Sequence, residues 1–332
     1  MVPALALLTA TSGAAAQGEQ DDLKLALPVR CDMTQDCSIQ KYVDRAPGPE
    51  RRDYRCGTMT TDAHDGTDFR LRRFQDLDRG VEVVAAAAGT VLRVRDNMPD
   101  ISVKEASAPL APDRLAGNAV VIGHGNGWET QYSHLGRGSV RVTPGQPVSA
   151  GTGLGVIGLS GNTEFPHLHF EVRRHGKAVD PFSAGEPTDC AATQPSLWTA
   201  AAAASLVYRP TVVLAMGFAT SPTEVEREAT RVRVPGAMTN PEALVLWGNV
   251  SGIQSGDVEI FRIDAPNGGV LMARETRILR NSLVWLSYSG VRRPDGGWQP
   301  GKYSGTYQLT RNGVLVGELS MSRYITGSRT KL

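Results

Sequence analysis

The chain has 332 residues, with 35 Lys and Arg against 34 Asp and Glu and a formal charge of +1. Bulk electrostatics therefore gives no footing for nucleic acid, and no Lys/Arg run marks a binding stripe. The length suffices for two cores, and 20 prolines, 36 glycines and few long apolar-periodic stretches point to a mainly β protein.

Residues 1–16 read as an export signal that lacks its front. Met1-Val-Pro-Ala-Leu-Ala-Leu-Leu-Thr-Ala10 is a short apolar core, Ala14-Ala15-Ala16 offers a small-residue cleavage site, and the positively charged start is missing, as a start codon placed too far downstream would produce. The expectation is an exported chain acting in the periplasm or cell envelope. No later run reaches the roughly 18 apolar residues of a membrane span, the nearest being Ala200 to Val207. Residues 17–50, with Pro28, Pro47 and Pro49, read as an irregular N-terminal extension. Cys31, Cys37, Cys56 and Cys190 allow three pairings. The preferred reading is two disulfides that staple the N-terminal segment to the histidine-bearing domain, with Cys190 as the closing partner. The alternative, zinc ligation by these cysteines, lacks any Cys-x-x-Cys spacing.

Three short stretches hold four of the six histidines. In His64-Asp-Gly-Thr-Asp68, Gly66 lets the backbone fold so that His64 and Asp68 reach one ion. Strands are expected at 80–84, 89–95, 118–123 and 128–132, with a hairpin turn at Gly123-His-Gly-Asn-Gly127. His124 is read as a structural residue of that turn. Tyr132-Ser-His134-Leu comes next, and 140–142, 147–148 and 153–157 continue the meander. In His167-Leu-His169-Phe-Glu-Val, the two histidines share one face of a strand, and Arg174-His175-Gly176-Lys177 turns it back. A His/His/Asp set suits one Zn²⁺ per chain and leaves a coordination position for water. His64, Asp68 and His169 are assigned as ligands, and His134 and His167 as the groups that orient water or move its proton.

These stretches resemble the M23 metallopeptidases, the LytM/lysostaphin-type cell-wall endopeptidases. The family pattern is His-x-x-x-Asp, a Tyr-x-His-Leu-like segment, and His-x-His in a Pro-His-Leu-His-Phe-Glu context. Gly158 to Val172 matches the last of these closely, and the resemblance covers roughly residues 50 to 185. It implies a duplicated hybrid-motif β-fold, zinc on His64, Asp68 and His169, catalytic roles for His134 and His167, and peptidoglycan peptides as substrate. Ser160, Asn162 and Thr163 are expected to touch substrate. Asn118 is expected to do so too, as its family position suggests, or else to cap a strand. The departure is a long loop, Arg95 to Gly117, with three prolines and many charges. It either walls the substrate groove or is an exposed insertion without catalytic consequence. Two other functions fit the same residues: a zinc peptidase acting on secreted glycine-rich proteins, and a non-catalytic envelope adaptor that activates a wall amidase.

The expected organisation is a peptidase domain at 51–188 with an antiparallel sheet or open barrel, a linker at 189–206, and an immunoglobulin-like β-sandwich at 207–332. The linker rests on Pro195 and the alanine run 200–204. The sandwich rests on short alternating strands and an Asn312-Gly313 hairpin turn. Trp285, Tyr288, Trp298, Tyr303 and Tyr307 are read as packing residues, with glycan or protein contact as the alternative.

Overall fold

The structure, a computed structural model, describes residues 23–185, 195–230 and 236–326. In its first half the strands are β1 (Cys37–Lys41), β2 (Thr67–Leu71), β3 (Glu82–Val84), β4 (Gly89–Arg95), β5 (Asn118–Gly125), β6 (Trp128–Leu135), β7 (Pro147–Val148), β8 (Gly153–Val156), β9 (His167–Arg174) and β10 (Lys177–Ala178). An eight-stranded sheet runs in the order β1-β2-β9-β6-β5-β4-β7, with β10 on β9, and β3 pairs with β8. The sheet is antiparallel and open rather than a closed barrel.

Alternation along the central strands sorts two kinds of chemistry onto two faces. Leu168, Phe170 and Val172 of β9, Phe69 and Leu71 of β2, and Tyr132 of β6 point into one apolar core. His167, His169 and Glu171, with Asp68 and Arg70, take the opposite face. Val140–Val142, expected as a strand, lies outside the ladders, although Val142 is buried in the core.

Two segments differ from their expected roles. Residues 23–50 are no appendage: Leu25, Val29, Ile39 and Tyr42 sit in the first core, and β1 forms an edge of its sheet. At the other end, the stretch expected as a linker folds onto the same core through Leu197, Trp198, Ala202 and Leu206. Trp198 packs edge-on or tilted against Phe69, Phe170 and Phe182 at centroid distances of 6.3, 5.8 and 5.4 Å. Burial of so large a ring is what holds this segment in place. The alanine run becomes a short helix, α1 (Ala200–Ser205), capped by the Thr199 hydroxyl, which accepts from the Ala202 N–H.

Cys31 and Cys37 are bonded to each other across a separation of only six residues. That bridge closes a local loop before β1, so it does not staple the N-terminal segment to the histidine-bearing domain as expected. Cys56 is also disulfide-bonded, and Cys190 lies outside the described residues, as does the expected export signal at 1–16.

The second half holds β11 (Val212–Ala219), α2 (Val225–Ala229), β12 (Ala237–Thr239), β13 (Ala243–Ile253), β14 (Val258–Asp264), β15 (Val270–Arg277), β16 (Ser282–Arg292), β17 (Gly301–Arg311) and β18 (Val314–Thr326). A three-stranded sheet, β11-β13-β16, faces a five-stranded one, β12-β18-β17-β14-β15. Between them lie Val213, Leu246 and Val250 from the first and Phe261, Ile263, Tyr307 and Leu309 from the second. This is the expected sandwich, with one parallel pairing, β12 on β18. Trp298, Tyr303 and Tyr307 are buried in that core, and Tyr288 is exposed. The β17–β18 turn is made by Asn312 and Gly313, both at positive φ (51° and 77°), as a two-residue hairpin turn requires. No helix among the described residues is long and apolar enough to cross a membrane.

Candidate metal centre

Pairing of β2 with β9 puts Asp68 opposite His169, and pairing of β6 with β9 puts Ser133 opposite His169. His64, in the turn before β2, completes a group with Asp68 and His169 whose potential ligand atoms all lie within 4.8 Å of one another. Asp68 is fully buried. Its Oδ1 faces His64 Nε2 at 3.2 Å, His169 Nδ1 at 3.0 Å and His167 Nε2 at 3.4 Å. The expected ligands and one expected catalytic histidine therefore converge on a single carboxylate oxygen.

The glycine in the first motif serves a different purpose from the one expected. Gly66 has no positive φ. A Cβ there would lie 2.6 Å from His169 Nε2 and 2.8 Å from the Phe170 carbonyl oxygen. Gly66 is needed for space against the His169 ring. Gly66→Ala is expected to displace that ring and weaken metal retention with the fold intact, which metal analysis beside circular dichroism would check.

His134 reaches the site by breaking strand alternation. A regular β6 would turn it to the same face as Tyr132, into the core. Instead it has φ 62°, in the left-handed region, at an irregularity in the β5–β6 register. Such a conformation costs on the order of 1–3 kcal/mol for a non-glycine residue and persists only where surroundings enforce it. Here its N–H donates to the Ala116 carbonyl at 2.9 Å, its carbonyl accepts from Gly158 N–H at 3.0 Å, and its Nδ1 faces the Ser160 carbonyl at 2.8 Å. The ring ends 4.6 Å from that of His167 and 6.0 Å from that of His169, centre to centre.

The loop from 95 to 117 supplies much of that enforcement, so it is far from structureless. It contains a 3₁₀ turn at Pro112–Arg114. Asp100 accepts from Leu159 N–H and Arg137 N–H, both at 2.8 Å. Val103 N–H donates to the Thr163 carbonyl at 3.0 Å, and Leu115 accepts from Asn162 N–H at 2.8 Å. The loop is thereby sewn to both the His134 and the His167 segments.

Three of the residues expected to touch substrate are buried, and Asn118 takes the structural role that was its alternative. Asn118 has no exposure: its amide accepts from Met98 N–H at 2.8 Å and donates to the carbonyls of Met98 and Leu135 at 2.9 and 3.1 Å. Ser160, also fully buried, donates to the Leu135 carbonyl at 2.7 Å and accepts from Asn118 N–H at 2.9 Å. Both clamp the loop to the sheet. Thr163 is buried, donates to the Phe165 carbonyl at 2.8 Å and lies 3.1 Å from His167 Nδ1, so it positions that histidine. Asn162 remains exposed. His124 is held by Ala88 and Thr130, as a turn residue would be. Asn118→Ala strands several buried polar groups, and a loss of roughly 2–4 kcal/mol of stability is expected, measurable by denaturant unfolding.

The electrostatics ask for a cation. His64 Nδ1 faces the Tyr42 carbonyl at 2.8 Å and His169 Nε2 faces Asp65 Oδ1 at 3.2 Å. Each neutral ring spends its one N–H on that outside acceptor, which leaves lone pairs aimed at Asp68 Oδ1. Acceptors facing one another in a buried site are stable only with a proton or a metal ion between them. With protons in that place, burial alone would pull His169 down, yet its contacts with Asp65 and Asp68 push it up to about 9. Burial pushes the Asp68 carboxyl up, and His64, His167 and Lys41 reverse this and hold it well below the usual carboxylate range. His134 goes the other way: burial, then the neighbouring His167 and His169, hold it well below the usual histidine value. Two nitrogens and one oxygen, each backed by a second hydrogen bond or ion pair, are a donor set that fits zinc.

Asp65, Lys41 and Tyr42 are site residues that sequence reasoning did not single out. Asp65 sits inside the first motif, where its polarity was the available signal. Lys41 and Tyr42 come from the N-terminal segment and carry no motif.

Residues 62–181 match Peptidase family M23. The chain is 35% identical over 124 residues to the peptidoglycan DD-endopeptidase ShyA of Vibrio cholerae, covering 37% of this chain and 23% of that protein. It is 42% identical over 77 residues to the DD-carboxypeptidase/endopeptidase Mpg of Neisseria meningitidis, covering 22% and 16%. Among solved structures, a zinc-containing peptidase from Vibrio cholerae is 28% identical and aligns with a TM-score of 0.28 over 42% of this chain and 39% of that one. The chain thus spans a quarter or less of the length of these curated relatives. The matched stretch contains all five polar residues assigned to the site and neither Lys41 nor the sandwich.

Proposed function

Because residues 62–181 form a domain of peptidase family M23, we propose that this chain is a zinc-dependent endopeptidase that hydrolyses peptide cross-links of peptidoglycan in the cell envelope. The observation that carries the reading is the convergence of His64, His167 and His169 on Asp68 Oδ1, with His134 beside them. The substrate class is supported by relatives described as peptidoglycan DD-endopeptidases. His64, Asp68 and His169 would hold the ion, one per chain. Bound there, zinc supplies Lewis-acid polarisation of the scissile carbonyl and a lowered pKa for water.

The chain's own residues handle the protons. Hydrolysis adds water across the C–N bond, so the water gives up a proton and the leaving amine gains one. His134 is suited to carry it. Its Nδ1–H donates to the Ser160 carbonyl, its depressed pKa keeps it neutral near pH 7, and its Nε2 lone pair is left as the proton acceptor. His167 is held from behind by Thr163 and the Phe165 carbonyl, at 3.1 and 3.0 Å, with Nε2 turned into the site to orient the water. The unit built on the first core, which takes in residues 23–185 and 197–206, is proposed as the peptidase, and the sandwich from β11 onward as a domain that carries no part of the chemistry.

A substrate panel tests the assignment. The zinc-loaded chain is expected to cleave cross-linked muropeptides and to leave glycine-rich peptides intact. Cleavage of glycine-rich peptides alone would replace peptidoglycan cross-links with a protein substrate, and cleavage of neither by a zinc-bound chain would favour an adaptor.

A further inference from the structure

The segment before the family match reaches into the metal centre at two points. β1 pairs with β2 through an irregularity: Ile39 lies opposite Phe69, and Lys41, two residues on, lies opposite Asp68, only one residue away. A regular ladder would set Gln40 against Asp68. The extra residue turns both Gln40 and Lys41 to the site face, as a bulge does. Gln40 Oε1 accepts from Arg70 at 2.7 Å, and Lys41 Nζ lies 3.2 Å from Asp68 Oδ2. The next residue, Tyr42, offers the carbonyl that fixes the His64 ring.

The two oxygens of Asp68 therefore have different surroundings. Oδ1 faces three imidazole nitrogens. Oδ2 is buried, has no aligned hydrogen-bond donor among the described residues, and faces the Lys41 ammonium. The pair is half-buried at Lys41 and fully buried at Asp68, so removing the lysine would leave a buried carboxylate oxygen without its counter-charge.

We propose that Lys41 is a positioning residue that holds Asp68 Oδ2 away from the metal, so that Asp68 ligates through Oδ1 alone and the ion stays four-coordinate, with one position for water, instead of gaining Oδ2 as a fifth ligand. The proposal rests on the metal-centre reading above. It adds that a residue from outside the family match determines how the carboxylate binds. With Lys41 neutralised, Oδ2 has no partner and is expected to swing in as a second ligand oxygen, since a buried carboxylate oxygen does not stay unsatisfied.

Cobalt in place of zinc reads this directly, because four-coordinate Co²⁺ absorbs visible light far more strongly than five-coordinate Co²⁺. The parent is expected to show intense visible bands, Lys41→Met weak ones, and Lys41→Arg, which keeps the cation, intense ones again. Turnover of the Met variant should fall about 10- to 100-fold, the scale of outer-shell substitutions, mainly in kcat. If Lys41→Met does not fold by circular dichroism, Lys41→Gln takes its place with the same expectation. A neutral variant with the parent's spectrum overturns the proposal. Its failure is distinguishable from that of the metal reading: a parent that binds no cobalt removes both, whereas a cobalt-binding parent with an unchanged variant removes only the role of Lys41.

Discussion

His169→Ala is expected to abolish both metal retention and turnover while leaving the fold in place. His169 presents Nδ1 to Asp68 Oδ1 at 3.0 Å and is backed by Asp65 at 3.2 Å. Its chain neighbours Leu168 and Phe170 point into the core and offer no replacement. Loss of one of the three proposed ligands is expected to release the ion. With it goes a Lewis-acid contribution of several kcal/mol, which at about 1.4 kcal/mol per decade corresponds to roughly a thousandfold loss of rate or more. Metal content by mass spectrometry, set beside turnover and a far-ultraviolet spectrum, checks it. A variant that retains zinc at one per chain would contradict the ligand assignment.

His134→Ala is expected to separate the two properties. Its ring touches the site only through its neighbours: Nδ1 is spent on Ser160, and the ring is not among the residues grouped around a potential ion. Zinc should remain bound at one per chain while kcat falls by about 10²–10⁴-fold, the range for a lost general acid–base group. Its main-chain bonds to Ala116 and Gly158 do not depend on the ring, so the strand irregularity should persist. Full activity in this variant would remove His134 from the chemistry. Loss of zinc would instead make it a ligand.

Legibility in the sequence tracked the range over which each feature is encoded. Strand β4 has the bounds read from its alternation, Gly89 to Arg95, and the two hairpin turns sit at their Asn-Gly dipeptides. Both depend on neighbours in the chain. The ligand set was legible for the same reason, since each motif is local and only their meeting is tertiary. Lys41 was not, because a one-residue irregularity decides whether Gln40 or Lys41 faces Asp68, and no composition signals it. Asn118 and Ser160 read as substrate contacts, with a strand cap as the alternative for Asn118, because buried polar clamps have the same sequence appearance. The segments 17–50 and 189–206 read as extension and linker because scattered prolines, mixed charges and an alanine run mark them. What places them is a few large side chains, Tyr42 and Trp198 above all, whose partners lie far away in sequence.

The central claim, that this metal centre cuts peptidoglycan cross-links, is tested most directly by incubating sacculi with the zinc-loaded chain and with its His169→Ala variant and resolving the soluble muropeptides by mass. Loss of cross-linked dimers with the parent alone is the predicted result, and the fragment masses identify the bond. Unchanged dimers with zinc bound at one per chain would contradict it.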